Sequence, residues 1–283
     1  MDTTVVALGD SRVQVAVGQA GENPSVSALY SAPAPATGES WLPVLEELWR
    51  GRGLARKNVW LVLPDEEVTS RVISAPDLPD KRLEELVDHE MQSREEEPVI
   101  ADFTPIGRDA EGHLSLFCAA CRTGVLEGYL DLFRNLGVRL AGVSVPLAGH
   151  LKLLRASREM ADQTCIWLCF EESSVLSILV VNGEYRYSGH SRVFSEPGTV
   201  DFATEITRNV SGTLQFHSAA RSEHAIQTVY YAGCSDDDFA VCTPELENLG
   251  LSAQPLPNCP QFRAAPEGVR LSDWLDCVGA LLR

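Results

Sequence analysis

Residues 5–15 are Val-Val-Ala-Leu-Gly-Asp-Ser-Arg-Val-Gln-Val, and the fold class follows from this stretch and a later counterpart. The mainly apolar run from Thr4 to Leu8 predicts a buried strand. Gly9-Asp10 supplies a turn, and the alternation of polar and apolar residues from Arg12 to Val17 predicts a second strand. The chain therefore opens with a predicted β-hairpin.

The second half of the chain repeats this opening. Cys165–Phe170 and Val175–Val181 are apolar runs that predict paired strands. Asn182-Gly183 is a strong hairpin turn, and Glu184–Phe194 continues it as a strand. In both halves a further strand and a helix follow, so the sequence predicts an internally duplicated α/β unit.

Apolar spacing places the remaining elements between these hairpins. Further strands are predicted at Val26–Ser31, Val59–Leu63, Arg71–Ser74, Phe103–Ile106, Leu114–Cys121, Arg139–Val145 and Ile226–Ala232. Helices are predicted after caps at Ser40 and Asp80, over Leu126–Leu136, Leu147–Arg155, Thr204–His217 and Asp236–Leu249, and from Ser272 onward.

Composition excludes several classes of protein. The 283 residues are 45% apolar and 22% charged, as expected for a packed soluble protein of two lobes. The net charge of −17 opposes nucleic-acid binding, and the basic cluster Arg50–Lys57 is too short to reverse that. With no apolar run of roughly 20 residues and an acidic start that predicts no signal peptide, we expect a cytoplasmic protein.

Eight cysteines are scattered along the chain, which indicates buried thiols in a reducing compartment. Cys118 and Cys121 form a CxxC, the usual spacing of metal ligands. On a strand, however, residues three apart point to opposite faces. The sequence therefore predicts no metal site.

Gly9-Asp10-Ser11 also looks like the first block of GDS-type serine esterases, which gives a remote alternative with Ser11 as nucleophile. That chemistry requires an imidazole to accept the serine proton and an oxyanion hole. The segment Asp273–Asp276 lacks the expected histidine, and Ser11 opens a strand rather than a helix. A turn serine is the simpler interpretation.

With the elements placed in order, the chain resembles the PilM branch of the FtsA/PilM family over nearly its whole length. The first hairpin is similar to the family's phosphate loop. Beyond it, the resemblance depends on the order and spacing of later stretches. These stretches are Val62-Leu63-Pro64, Arg71–Pro79, Tyr129–Pro146, Arg186-Tyr187-Ser188, Glu205–Asn209 and Tyr231-Ala232-Gly233.

This resemblance implies an actin-like (RNase H-like) duplicated α/β fold with an inserted α+β subdomain and a reduced subdomain in the second lobe. Residues 1–56 and 143–160 would form the first core subdomain. Residues 57–142 would form the inserted PilM/FtsA-type subdomain, and residues 161–283 the second core subdomain.

ATP with magnesium is the family ligand, and Gly9, Asp10, Ser11 and Gly233 occupy the positions of its binding loops. Several departures indicate a vestigial site. They are Ala7 for a carboxylate, a glycine-free Cys169–Glu171, Cys234 for a glycine, and a short segment from Phe194 to Thr204. We expect no cofactor and no catalytic residue; an active actin-like ATPase is the alternative.

The resemblance also implies a partner, the N-terminal cytoplasmic tail of a PilN-like inner-membrane protein in a type IV pilus or type II secretion platform. The chain would then lie at the membrane through that partner, and the resemblance allows self-association. The candidate lining residues are Arg71, Leu86, Glu90 and Met91. Glu95–Pro98 stands where the family has Ile-Pro after this helix.

Overall fold

The computed structural model describes residues 2–109, 111–171, 173–219 and 223–283. The strands are β1 Thr3–Leu8, β2 Arg12–Gln19, β3 Ser25–Pro33, β4 Val59–Val62, β5 Val68–Ala75, β6 Val99–Arg108, β7 Leu114–Arg122, β8 Leu140–Ser144, β9 Cys165–Phe170, β10 Ser174–Val181, β11 Glu184–Arg192, β12 Thr228–Ala232 and β13 Ser252–Pro255. The α-helices are α1 Leu42–Arg52, α2 Asp80–Gln92, α3 Thr123–Asn135, α4 Pro146–Ala156, α5 Val200–Ala219, α6 Asp236–Ala240, α7 Thr243–Asn248 and α8 Leu275–Gly279.

The predicted duplication is confirmed by two five-stranded sheets with the same topology. Their strand orders are β3-β2-β1-β4-β8 and β11-β10-β9-β12-β13. In each sheet the first three strands are antiparallel, and the last two join in parallel. Each half therefore folds as one hairpin-led α/β unit, which is the repeat of an actin-like fold.

The chain divides into two compact units. The first holds Met1–Lys152, Ala264–Pro266 and Asp276–Arg283, and the second holds Leu153–Arg263 and Glu267–Leu275. The three subdomain boundaries expected from the sequence stay a prediction, and strands β4 and β8, at the two ends of the segment 57–142, pair within the first sheet.

Helices α1 and α3 cover the first sheet because their apolar faces repeat at helical spacing. Leu45 and Phe133 are fully buried against strand residues such as Leu61. The rings of Trp49 and Phe133 meet edge-on, with their centroids 6.1 Å apart.

A separate three-stranded sheet, in the order β5-β7-β6, is inserted between β4 and β8. Helix α2 packs on one of its faces, where Leu83, Val87 and Met91 meet Leu116 and Cys118 of the central strand. Strand β6 forms one edge of this sheet, and its pairing with β7 is irregular between Pro105 and Gly107.

In the second unit, α5 packs on β9 and β10 through fully buried residues such as Ile206 and Val210. The β10–β11 hairpin turns at Asn182 and Gly183, whose φ angles are 52° and 74°. Two positive φ angles are the mark of the type I′ turn that this dipeptide predicts.

Several elements differ from the sequence-based expectation. Asp80 is the first residue of α2 and does not cap it, because Pro79 holds the N-cap position. The helix expected over 236–249 is split into α6 and α7, since Pro244 near the start of α7 lacks the N–H that a continuous helix needs. Strand β13 was not predicted, because Ser252–Pro255 is short and lacks an apolar pattern.

The segment expected to form a C-terminal helix from Ser272 begins as a 3-10 turn, Leu271–Trp274, and continues as α8. Its last part lies against the first sheet, where Cys277 is 0% exposed and Gly21 N–H donates to the Leu281 carbonyl at 2.9 Å. None of the helices in the described part of the chain has the length and apolar character needed to cross a membrane.

Candidate functional site

The turn of the first hairpin is closed by its own backbone. Gly9 N–H donates to the Arg12 carbonyl at 3.0 Å, so this donor is already satisfied. Beside the turn, Asp10 and Glu66 share a hydrogen bond between their carboxyl groups. Partial burial, and then the neighbouring Asp10, raises the pKa of Glu66 to about 7. The Gly9 N–H is therefore already bonded, and a phosphate at this turn would meet the carboxyl groups of Asp10 and Glu66.

Ser11 ends the turn of the first hairpin. Its carbonyl accepts the Ala34 N–H at 2.8 Å, which fixes the end of the turn. Among the described residues, no imidazole hydrogen-bonds to its hydroxyl. An esterase nucleophile requires such a base to accept the proton of its hydroxyl.

The turn between β9 and β10 also carries a carboxylate. Glu171 N–H donates to the Ser174 carbonyl at 2.9 Å, and the Ser174 hydroxyl donates to Glu171 Oε2 at 3.3 Å. His190 Nε2 lies 2.9 Å from the same hydroxyl. This hairpin has no glycine at its turn, as the sequence indicated, and its negative charge opposes phosphate.

Gly233 lies in the second unit, directly after β12, with φ 77°. Its N–H donates to Asp273 Oδ1 at 3.1 Å. The Arg270 guanidinium holds that carboxylate at 3.1 and 3.2 Å and also donates to the Cys234 carbonyl at 2.7 Å. Arg270 Nη1 donates to Asp236 Oδ1 at 2.6 Å. The loop that would contact adenosine is therefore filled by side chains of the chain itself.

The connection between β11 and α5 is shorter than expected from the sequence. It spans residues 193–199, because α5 begins at Val200 and not at Thr204. The Glu205 carboxylate accepts the N–H groups of Phe194 and Ser195 at 3.1 and 2.9 Å. These backbone donors, Ser195 first, hold the pKa of Glu205 below its usual range.

A cleft of about 410 Å³ lies in the first unit, on the face of the three-stranded sheet opposite α2. Cross-strand neighbours form its floor: Ile100 faces Cys121, Asp102 faces Ala119, and Thr104 faces Phe117. The opposite wall consists of residues from β4, β8 and α4 and their ends, namely Trp60, Leu63, Val143, Ser144, Val145, Ala148 and Lys152.

The cleft is mainly apolar and partly open to solvent. Ile100, the second residue of β6, is 51% exposed, which is unusual for an isoleucine in a strand. Of the described residues that line the cleft, Asp102 and Lys152 are the charged ones. Asp102 Oδ1 accepts the Phe103 N–H at 2.8 Å, so it covers a backbone donor on β6.

The four residues expected from the sequence to line a partner groove lie on the other face of this sheet. Arg71 Nη1 donates to the Glu90 carbonyl at 3.4 Å, which ties β5 to the end of α2. Met91 is 0% exposed inside the cluster under α2, and Leu86 packs at its margin. None of the four lines the cleft.

The sequence did contain a signal for the cleft. Residues 116–121 of β7 are apolar at every position, so both faces of this strand must be covered. Leu116, Cys118 and Ala120 face α2, and the alternate residues Phe117 and Ala119 face the cleft. A strand that is apolar on both sides predicts a second contact surface.

The CxxC behaves as its strand position predicts. Cys118 packs in the cluster under α2, whereas Cys121 packs in the core of the first sheet. Burial raises the pKa of Cys118 to about 12. No group of three or more histidine, cysteine or acidic side chains suited to a metal occurs among the described residues.

Comparison with known proteins finds similar solved structures but no match to a family model or to a curated sequence. A chain of the PilM–PilN type IV pilus biogenesis complex is similar over 99% of this chain and 96% of its own, with 19% identity and a TM-score of 0.75.

Two further solved structures share the fold. The cytoplasmic domain of EpsL, an inner-membrane component of the Vibrio cholerae type II secretion system, is 12% identical, with a TM-score of 0.54, over 99% of this chain and 95% of its own. A Bacteroides thetaiotaomicron protein of unknown function with an actin-like ATPase fold is 9% identical, with a TM-score of 0.58, over 98% and 96%. The chain thus has an actin-like, PilM-like fold.

Proposed function

We propose that this protein is a cytoplasmic scaffold of an inner-membrane assembly platform, of the type IV pilus or type II secretion kind. Its cleft would receive the extended N-terminal tail of a PilN-like membrane protein. The observation that carries this proposal is the apolar cleft beside the edge strand β6 in a chain with a PilM-like fold. The protein would lie at the membrane through this partner.

An extended tail suits the cleft for two physical reasons. Strand β6 is an edge of its sheet, and an edge can accept a further strand through main-chain hydrogen bonds. Ile100 and Ala119 provide apolar surface for alternate side chains of that strand. Pro105 has no N–H and the pairing is irregular after it, so pairing would be confined to the first half of β6.

We further propose that this role requires neither binding nor hydrolysis of ATP. The carboxylates of Asp10 and Glu66 stand at one hairpin turn and Glu171 at the other, where phosphate loops would need free N–H groups. The Gly233 N–H is already bonded to Asp273. These features favour a binding module over an actin-like ATPase.

Calorimetric titration with the N-terminal cytoplasmic peptide of a PilN-like protein from the same organism tests the proposal. We expect saturable binding that is unchanged by ATP and magnesium. Ala119→Arg would place a long side chain on the cleft floor and should abolish binding, whereas Leu86→Arg on the α2 face should leave it intact. Circular dichroism melts establish that both variants fold.

The outcomes separate the candidate sites. Loss of binding in Leu86→Arg alone would place the partner on the α2 face and reject the cleft. No heat with any such peptide would reject the scaffold role. Binding that appears only with ATP and magnesium would favour a nucleotide-dependent protein.

A further inference from the structure

Lys152 is the charged side chain at a mainly apolar wall of the cleft, among the residues that the structure describes. Helix α4 places Ala148 and Lys152 four residues apart, on one face, and both line the cleft. The ammonium forms no ion pair or side-chain hydrogen bond with any residue in the described part of the chain. Burial, and then the positive charge of Arg283, lowers the pKa of Lys152.

The charges around Lys152 leave it uncompensated. The Arg283 guanidinium lies over the Trp60 ring, 5.0 Å from its centroid, and adds a second positive charge at this wall. Asp102 lies on the floor of the cleft, accepts the Phe103 N–H, and forms no ion pair with Lys152. In a chain of net charge −17, this end of the cleft is locally cationic.

An occupant could satisfy the ammonium with a carbonyl or with a carboxylate. A carbonyl would supply a hydrogen bond but leave two like charges at one wall. A carboxylate would supply a charge-assisted hydrogen bond and neutralise this excess. Charge complementarity therefore favours an acidic group.

We infer that the cleft selects an extended apolar tail that carries an aspartate or glutamate, whose carboxylate pairs with Lys152. The inference rests on the proposed function, because it assigns the chemistry of the tail that the cleft would receive. Apolar side chains of the tail lie on Ile100 and Ala119, and its acidic side chain reaches across to α4.

Selection from a display library of random peptides as long as β6, 10 residues, tests the inference without knowledge of the natural tail. The wild-type protein, Lys152→Met, Lys152→Arg and Lys81→Met serve as bait. Lys81 lies on α2, away from the cleft, and gives the matched loss of one positive charge. Peptides that also bind Ala119→Arg are removed by counter-selection, because that variant blocks the cleft and such peptides bind elsewhere on the protein.

We expect cleft-binding peptides with an acidic residue at one position next to an apolar run. Replacing that acid by its amide should weaken binding to wild type roughly tenfold or more and leave binding to Lys152→Met unchanged. Lys152→Arg should keep the acidic preference, and Lys81→Met should behave as wild type. Added salt should reduce the preference.

Each other result has a distinct meaning. Cleft binders without an acidic position, or with a preference that survives in Lys152→Met, would overturn this inference and leave the peptide cleft standing. No cleft-dependent binder with any bait would overturn the peptide cleft, and the inference with it.

Discussion

Replacing Gly233 by alanine tests whether this glycine serves packing or a ligand. A Cβ built at Gly233 would lie 2.2 Å from the Phe170 carbonyl oxygen, far inside the 3.4–4 Å of ordinary contact. Gly250 has nearly the same φ, 76° against 77°, but nothing lies within 4 Å of its added Cβ. The pair of variants therefore separates the cost of φ from the cost of the close approach.

The expected magnitudes follow from these two terms. A left-handed φ costs an alanine about 1 kcal/mol, and this is the expected loss for Gly250→Ala. Gly233→Ala must also displace the Phe170 carbonyl at the end of β9, an overpacking that costs about 2 kcal/mol more. We therefore expect Gly233→Ala to lower the free energy of unfolding by about 3 kcal/mol.

Urea denaturation followed by circular dichroism measures both losses, and native-state hydrogen exchange locates them. Protection should fall in β9 and β12 for Gly233→Ala, because Ala232 pairs beside Cys169 in that register. Equal losses in the two variants would refute the close approach as the reason for this glycine. A larger loss of unfolding free energy in Gly233→Ala than in Gly250→Ala would show that close packing accounts for the glycine at position 233 without a bound nucleotide.

Three further predictions concern charge and thiol chemistry. Partial burial and a neighbouring carboxylate raise the pKa of Glu66 to about 7, so the folded chain keeps a proton that the unfolded chain releases near pH 4.5. The free energy of unfolding should therefore fall as pH rises from about 5 through 7. Glu66→Gln should reduce this pH dependence in urea titrations. Arg270→Met should lower the free energy of unfolding by about 1 kcal/mol. Because the Arg270 hydrogen bond holds the pKa of Asp236 below its usual range, the variant should also return that pKa toward normal in an NMR titration. Replacing the exposed Arg263 by methionine should change neither quantity. Iodoacetamide at mildly alkaline pH should label Cys259 first in the native protein and leave the seven buried cysteines unmodified, as mass spectrometry would show; rapid labelling of a buried cysteine would contradict the packing.

The repeated sheets were predictable because their signals are local. Apolar runs and alternation over a few residues mark β1, β2, β9 and β10, and Asn182-Gly183 specifies its own turn. Elements with weak local signals were missed or misplaced. Strand β13 has four residues and no apolar pattern, so only its pairing with β12 makes it a strand.

The candidate site was less predictable. Its phosphate-loop positions could be located because the two hairpins are periodic, and their departures from the family were visible in single residues such as Ala7. The residues expected to line a partner groove lie on the α2 face, whereas the cleft lies on the other face, and that expectation stays a prediction. Leu86 and Glu90 show ordinary helical spacing. Such spacing predicts which face of a helix is amphipathic, but it does not predict which face of the neighbouring sheet binds a partner.

By itself, the sequence determined the duplicated α/β organisation, the tight turns and the opposite orientation of Cys118 and Cys121, because strand and helix periodicity are properties of neighbouring residues. Only the tertiary structure decided that Asp273 bonds to the Gly233 N–H from 40 positions away. It likewise decided that Lys152 faces an apolar cleft near Arg283. Such contacts join residues distant in the chain, and no local spacing encodes which of them meet.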